Sequence, residues 1–507
     1  LINSCCFAWR FIYHRFSDWA TKKFSEGALV NRMQIPVRKL ACLSVIALMH
    51  ETLYAGGFSL YTESSAVAIG NYAAGIAAEG YDASIGWYNP AGLVLIKDQQ
   101  ILLGGVGVLP SAKLTGISTY STINPAGGDP FTPYTESFNS LQGAKNAVVP
   151  SLHYAQPLGE SAVFGLSIVS PFGLSTDYDL RSPVRYAATW SQLQTLNLSP
   201  ELGGKLTDNF SIGGGIDFQY ANVKFNRMLG SPSLTSSFGF SPSVLDSQSY
   251  NTGDSFAVGF HAGLMLMFND EHTRCGLNYQ SHMNHQFRGH SILTGPLADQ
   301  TLSLSNPEEQ NNPKATYTSD NLTSNYISLP NIVTLSAYQD LTHQWALLGS
   351  IVFSGWSSFQ SIQLNNVAAY SIDQDTDLVV PAQANSTTPE DYRDTWRFAL
   401  GANYRVNDQW LLRMGGGYDQ TPTVFAERDV RLPDANRWAI SIGAHYQMLY
   451  NLGLDAGFTY LFANRTADIN NTTAIGALST YNVNASAKVN AKLIGLQVVW
   501  LMDTKKP

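Results

Sequence analysis

From about residue 99 onward, hydrophobic and polar residues alternate with a period of two. Residues 436–448 show it most cleanly. Trp438, Ile440, Ile442, Ala444, Tyr446 and Met448 share one face, and Arg437, Ala439, Ser441, Gly443, His445 and Gln447 the other. In 392–406, Trp396, Phe398, Leu400, Ala402 and Tyr404 oppose Arg393, Thr395, Arg397, Gly401, Asn403 and Arg405. In 210–220, Phe210, Ile212, Ile216, Phe218 and Tyr220 oppose Ser211, Gly213, Gly215, Asp217 and Gln219. Such alternation predicts strands whose two faces meet different surroundings. A soluble sheet would carry surface Lys and Glu on its polar face. Here that face is Gly, Ser, Asn and isolated charges, and the apolar face ends in aromatics. The pattern predicts a lipid-facing band between aromatic girdles around a polar interior. In lipid no sheet edge can stay unpaired, so the sheet must close.

Fourteen such segments can be counted, near 99–116, 147–157, 161–175, 193–207, 210–226, 254–268, 273–289, 326–339, 345–360, 392–406, 409–420, 436–448, 452–462 and 486–501. The connections alternate between short turns and long loops, the latter near 117–146, 176–192, 227–253, 290–325, 361–391, 421–435 and 463–485. The expected fold is all-β: a fourteen-stranded antiparallel transmembrane β-barrel over 99–501, with a tail at 502–507. The last strand ends Leu493-Ile494-Gly495-Leu496-Gln497-Val498-Val499-Trp500 and resembles the terminal signal read by the barrel-assembly machinery.

Composition agrees. Only 13% of the 507 residues are charged, against about 25% in a soluble domain. The longest near-apolar run, Leu40–Met49, is ten residues, half of what a spanning helix needs. A net charge of −8 argues against nucleic acid as a partner. Met33, the basic pair Arg38 and Lys39, and the run Leu40–Met49 read as a secretory signal peptide over 33–55, with 1–32 as an upstream leader. Beyond it Cys275 is the one thiol, which makes no intrachain disulfide.

Residues 56–98 do not alternate. They are rich in Gly, Ala and Ser, allow a short helix over Ser64–Ala78, and suit a plug packed against other backbone; a periplasmic extension is the alternative. This stretch, with Asn89-Pro90-Ala91, resembles the N-terminal hatch of the long-chain fatty-acid transporters of Gram-negative outer membranes, a family that includes aromatic-hydrocarbon transporters. Further matches are Val149-Pro150-Ser151-Leu152-His153-Tyr154, Ser170-Pro171-Phe172-Gly173-Leu174, Leu329-Pro330-Asn331, Trp396-Arg397-Phe398-Ala399-Leu400-Gly401 and Arg431-Leu432-Pro433-Asp434-Ala435-Asn436-Arg437. The resemblance covers about 56–500. It implies a monomeric outer-membrane barrel that takes up long-chain fatty acids or other hydrophobic molecules and touches outer-membrane lipids.

Pro171 and Gly173 interrupt the third predicted strand, as at a bulge or kink. By resemblance, Pro171, Phe172 and Gly173 mark a lateral opening, and Asn89, Pro90 and Ala91 a gate. Two connections are unusually apolar: Met228, Leu229, Leu234, Phe238, Phe240, Val244 and Leu245 in one, and Ile292, Leu293, Leu297, Leu302 and Leu304 in the other. They either pack on each other or form a capture groove; the resemblance implies the groove, and places Phe58 in an inner ligand pocket. A carboxylate head group needs a cation. Arg227, Arg393 and Arg397 are candidates, against a structural cluster with Glu201, Asp217, Asp419 and Asp455. No nucleophile–base arrangement and no cofactor motif stands out, so an enzyme is not expected. His282 and His285 fall on opposite faces of a strand, which argues against a metal site. A surface adhesin or structural barrel, and a general porin, remain as rival readings.

Overall fold

The computed structural model describes residues 58–124, 129–303, 307–308, 312–373, 378–476 and 478–502. The expected leader at 1–32, signal peptide at 33–55 and nearly all of the tail lie outside them, as does Leu304.

Fourteen antiparallel strands form a closed ring. They are β1 (Gln100–Thr122), β2 (Tyr134–Gln142 and Ala147–Pro157), β3 (Ala162–Val169 and Gly173–Asp177), β4 (Trp190–Thr207), β5 (Phe210–Phe225), β6 (Ser247–Phe268) and β7 (Thr273–Gln280 and Met283–Thr294). The second half is β8 (Thr316–Leu329 and Ile332–Asp340), β9 (Trp345–Ser354 and Ser361–Ile372), β10 (Val379–Pro389 and Thr395–Arg405), β11 (Trp410–Asp419), β12 (Arg437–Leu449), β13 (Leu452–Ala463 and Ala467–Ile475) and β14 (Ser479–Leu501). Each strand pairs with its sequence neighbours, and β1 pairs with β14 from Gln100↔Leu501 to Thr122↔Ser479. That ladder leaves the sheet no free edge.

The alternation read from the sequence is the division between wall and interior. On β10 and β12, Leu400 and Ile440 are 75% and 61% exposed, while Ala399, Ser441 and Thr395 are buried. Aromatics border the apolar belt as cross-strand pairs. At the short-turn end Trp345 meets Tyr404 at 4.6 Å and Trp410 meets Tyr446 at 4.5 Å. At the other end Phe353 meets Trp396 at 5.1 Å and Tyr418 meets Trp438 at 5.0 Å. On each of these strands the two girdle residues are eight positions apart, about 26 Å of extended chain.

The long connections differ from expectation. Much of 117–146, 290–325, 361–391 and 463–485 is strand, as hairpins that carry the sheet above the belt. Residues 316–325, TYTSDNLTSN, have no lipid on one side. Their alternation therefore has no apolar contrast, and periodicity cannot reveal them.

The N-terminal segment, residues 58–98, sits within the ring. Its helices are α1 (Ala66–Asn71) and α2 (Ile85–Tyr88), with a 3-10 turn over Pro90–Leu95. The helix expected over Ser64–Ala78 stops at Asn71 because Tyr72, Ala73 and Gly75 take positive φ. Bonds tie the segment to strands around the circumference. Thr459 on β13 donates to the Ile69 carbonyl at 2.7 Å. Gly75 N donates to Ser350 on β9 at 2.8 Å, and Ser211 on β5 to the Ala91 carbonyl at 2.8 Å. Close approach needs small residues: a Cβ on Gly443 of β12 would stand 2.6 Å from the Gly70 Cα. Paired charges fill the remaining lumen, including Arg413–Asp455 at 2.8 Å and Arg437–Asp419 at 3.0 Å.

Leu400 lies midway between Trp396 and Tyr404. Leu400→Lys should destabilise the folded barrel by about 2–4 kcal/mol, read by denaturant unfolding in lipid.

Candidate functional site

The third strand breaks where Pro171 and Gly173 predict it. β3 pairs with β2 only from Pro157↔Val163 to Leu152↔Ile168. Pairing resumes at the isolated bridge Ala144↔Thr176, in the same register. Between them 145–151 of β2 and 169–175 of β3 face each other without a ladder. The N-terminal segment covers the inner edge of this interruption. Leu60 N donates to the Pro171 carbonyl and Gly173 N to the Phe58 carbonyl, both at 2.8 Å, around the antiparallel bridge Ser59↔Phe172. Residues 58–60 thus supply partners that β2 does not.

Asn89, Pro90 and Ala91 hold this segment from below. The Asn89 Oδ1 accepts from Ala91 N at 3.1 Å, which starts the 3-10 turn, and Pro90 occupies a position that needs no N–H. Asn89 Nδ2 donates to the Ala77 carbonyl at 2.7 Å and to the Leu264 carbonyl of β6 at 3.0 Å. One side chain therefore joins two parts of the segment to the wall.

Phe58 is buried in an aromatic cluster. Its ring lies 4.7 Å from Trp356, 5.5 Å from Phe359, 6.2 Å from Tyr392 and 6.4 Å from Phe172, mostly edge to face. Trp356, Phe359 and Tyr392 were not among the residues singled out from sequence. They sit in breaks of β9 and β10. The breaks at 281–282 and 330–331 lie at the same level, where Ser281 and Pro330 line a cavity together with Ser59, Pro171 and Phe172. A signal for this was present: Gly, Pro and Ser interrupting several strands at one height.

Arg227 lies in the connection after β5, half-buried, with its backbone paired to Ser249 of β6. Among the described residues it has no carboxylate partner and no side-chain hydrogen bond. Burial and the neighbouring Arg431 guanidinium push its pKa down to about 10. Arg431 itself pairs with Asp429, donates to the Ala187 carbonyl, and lies over the Phe225 ring. Arg393 is exposed at the rim, where its Nε donates to the Thr421 carbonyl at 3.2 Å. No contact joins it to Arg227. Arg397 is buried against Asp419 and stacked near Tyr72, which places it in the structural charge cluster.

The two apolar connections do meet. Leu245, Leu293, Leu297 and Leu302 pack into one buried cluster with Ala368 and Val379. Phe238 and Phe240 stand outside it; Phe238 is 65% exposed and its ring is 5.8 Å from Phe131. His285 donates or accepts at Gln219, and among the described residues no group of three or more His, Cys, Asp or Glu is arranged to hold a metal.

Comparison with known proteins supplies the family. The model described as "Outer membrane protein transport protein (OMPP1/FadL/TodX)" matches residues 46–500. The long-chain fatty acid transport protein of Escherichia coli O6:H1 is 27% identical over 445 residues, 84% of this chain and 91% of its own length. Outer membrane protein P1 of Haemophilus influenzae is 26% identical over 469 residues, 88% of this chain and 95% of its own. Among solved structures, a Pseudomonas aeruginosa FadL homologue aligns with a TM-score of 0.71 at 23% identity, over 88% of this chain and 100% of that one. The Pseudomonas putida toluene transporter TodX aligns with a TM-score of 0.58 at 16% identity, over 87% and 99%. These two show a shared fold. The fourteen-stranded closed barrel and the near-complete family match lead to one statement: this is an outer-membrane protein, and the chain belongs to the OMPP1/FadL/TodX family of outer membrane transport proteins.

Proposed function

We propose that the chain moves long-chain fatty acids or similar hydrophobic molecules inward across the outer membrane. The loops with Phe238 and Phe240 present apolar surface at the mouth. Arg227 receives an anionic head group, with Arg393 as a further cation at the rim, and the rings around Phe58 take the acyl chain. Residues 58–98 act as a hatch, held by Asn89, Pro90 and Ala91, and the ligand leaves sideways between β2 and β3 beside Pro171, Phe172 and Gly173.

One observation supports this most. Phe58 belongs both to the aromatic cluster and to the short strand that bonds to Pro171 and Gly173. A ligand that displaces the Phe58 ring also pulls on the hydrogen bonds that cover the break in the wall. Release into the wall lets an apolar molecule pass to lipid without crossing water, where exposing its apolar surface would cost about 25 cal/mol per Å².

Residues directly opposite in an antiparallel pair lie within reach of a disulfide. In a Cys275→Ser background, Ser59→Cys with Phe172→Cys should lock the hatch to β3 when oxidised. Uptake of a fluorescent long-chain fatty acid in cells lacking their own transporter should fall at least about tenfold and recover with reductant. Full uptake through the oxidised protein would rule out movement at this junction.

The head-group role is tested by Arg227→Met. A hydrogen bond to a charged group contributes about 1.5–3 kcal/mol, so oleate affinity should fall about 10- to 100-fold. Adding Arg393→Met should change it less than about threefold, as for an exposed charge. Aromatic hydrocarbons are the second reading, favoured by the edge-to-face rings around Phe58. Toluene has no head group, so unchanged toluene binding in Arg227→Met beside lost oleate binding assigns the arginine to carboxylates.

A further inference from the structure

The outer face of the barrel carries an uncompensated group of lysines at the seam between β1 and β14. The outward positions of β14 run Trp500, Val498, Leu496, Ile494, all exposed as a lipid belt requires. Trp500 stands at the short-turn end, paired with Ile101 and Leu452. Eight residues above it is Lys492, paired with Leu109 on β1 and Tyr460 on β13. Eight residues is the distance between the girdles on β10 and β12, so Lys492 stands at the upper girdle. Four residues further up is Lys488, whose partner across the ladder is Lys113. All three side chains are exposed.

Like charges directly opposite in an antiparallel pair repel across a Cβ separation of about 5 Å. Among the described residues none of these lysines has an ion-pair partner. The carboxylate on the same face is Asp468 of β13, opposite Ser486, one step diagonal from Lys488. Its Oδ1 accepts from the Thr466 hydroxyl at 2.9 Å, and it makes no ion pair with Lys488. Arg465, exposed in the break of β13, adds a fourth cation nearby. In a chain with a net charge of −8, this concentration of cations sits at the height of the outer lipid head groups, above Leu103, Ile494 and Leu496.

We propose that Lys113, Lys488 and Lys492 bind the phosphate groups of a phosphorylated glycolipid of the outer leaflet, whose acyl chains lie on the belt below. A phosphate placed between Lys113 and Lys488 converts a repulsive pair into a bridged one, and the compact ammonium charges suit its oxygens. The proposal rests on the outer-membrane location and is independent of the transport reading.

The test uses the full chain in detergent, titrated with bisphosphorylated lipid A, with its dephosphorylated form and with inorganic phosphate, followed by native mass spectrometry. Each lysine near an anionic lipid contributes about fivefold. The unaltered protein should prefer the phosphorylated lipid by about 100-fold, and raising the ionic strength should shrink that preference. Lys113→Gln with Lys488→Gln and Lys492→Gln should abolish it while the barrel keeps its heat-modifiable gel mobility and its oleate affinity. Lys113→Gln alone, which removes the like-charge pair, covers the case in which the triple variant fails to fold, and should lower the preference about fivefold. Equal binding of the two lipids by the unaltered protein overturns the proposal. So does a preference that survives the substitutions, or displacement of the lipid by equimolar inorganic phosphate.

Discussion

The structure depends on one constraint: in hydrocarbon, no water replaces a missing backbone partner. Fourteen strands meet it by closing on themselves, and the long β1–β14 ladder is the closure. The same constraint makes the interrupted ladder between β2 and β3 meaningful. Residues 145–151 and 169–175 cannot be left with bare N–H and C=O groups, so another strand has to come to them. Phe58–Leu60 does so for Pro171 and Gly173 of β3. A barrel with an unbroken third strand would have no such need and no such contact.

A filled lumen imposes its own demands. The segment within it reaches strands on several sides, and backbone-to-wall distances leave no room for side chains at Gly70 and Gly443. Several charges that face inward cannot reach bulk water freely and are held in pairs, while Glu63, Glu79 and Asp82 are buried among polar groups without an ion pair among the described residues. Arg413 with Asp455, and Arg397 and Arg437 with Asp419, form such pairs. Breaking one by removing a single partner is costlier than never having built it. Arg227 differs from these arginines: it is half-buried near another guanidinium and has no carboxylate partner among the described residues.

Legibility in the sequence followed the surroundings of each residue. The belt strands were readable because lipid on one side and lumen on the other impose opposite chemistry on successive residues, as in 436–448. The rim hairpins were not, because 316–325 and 379–389 carry polar residues on both faces. Pro171 and Gly173 announced a break through their own backbone chemistry. That Phe58 would bond beside them could not be read, since the pairing spans more than a hundred residues and a three-residue segment carries no periodicity. Trp356, Phe359 and Tyr392 were hidden for the opposite reason: aromatics are common along this chain, and only their position in strand breaks sets them apart. Arg227 was identifiable by type, but its isolation depends on Arg431, two hundred residues away.

The junction at Pro171 is also the place where wall and pocket are energetically comparable. Two backbone hydrogen bonds contribute about 1–3 kcal/mol net. A ring such as Phe58, fully buried, contributes about 1.5–3 kcal/mol more. Opening the junction therefore costs several kcal/mol, which is too much for thermal motion to leave it open. A micromolar ligand brings about 8 kcal/mol. If part of that binding is spent on the space the Phe58 ring occupies, the closed and open states come within reach of each other. A wall break sealed by a continuous strand would lie far outside this range, and one sealed by nothing would leak. The isolated bridge at Ser59, next to an aromatic that belongs to the buried cluster, lies between these limits.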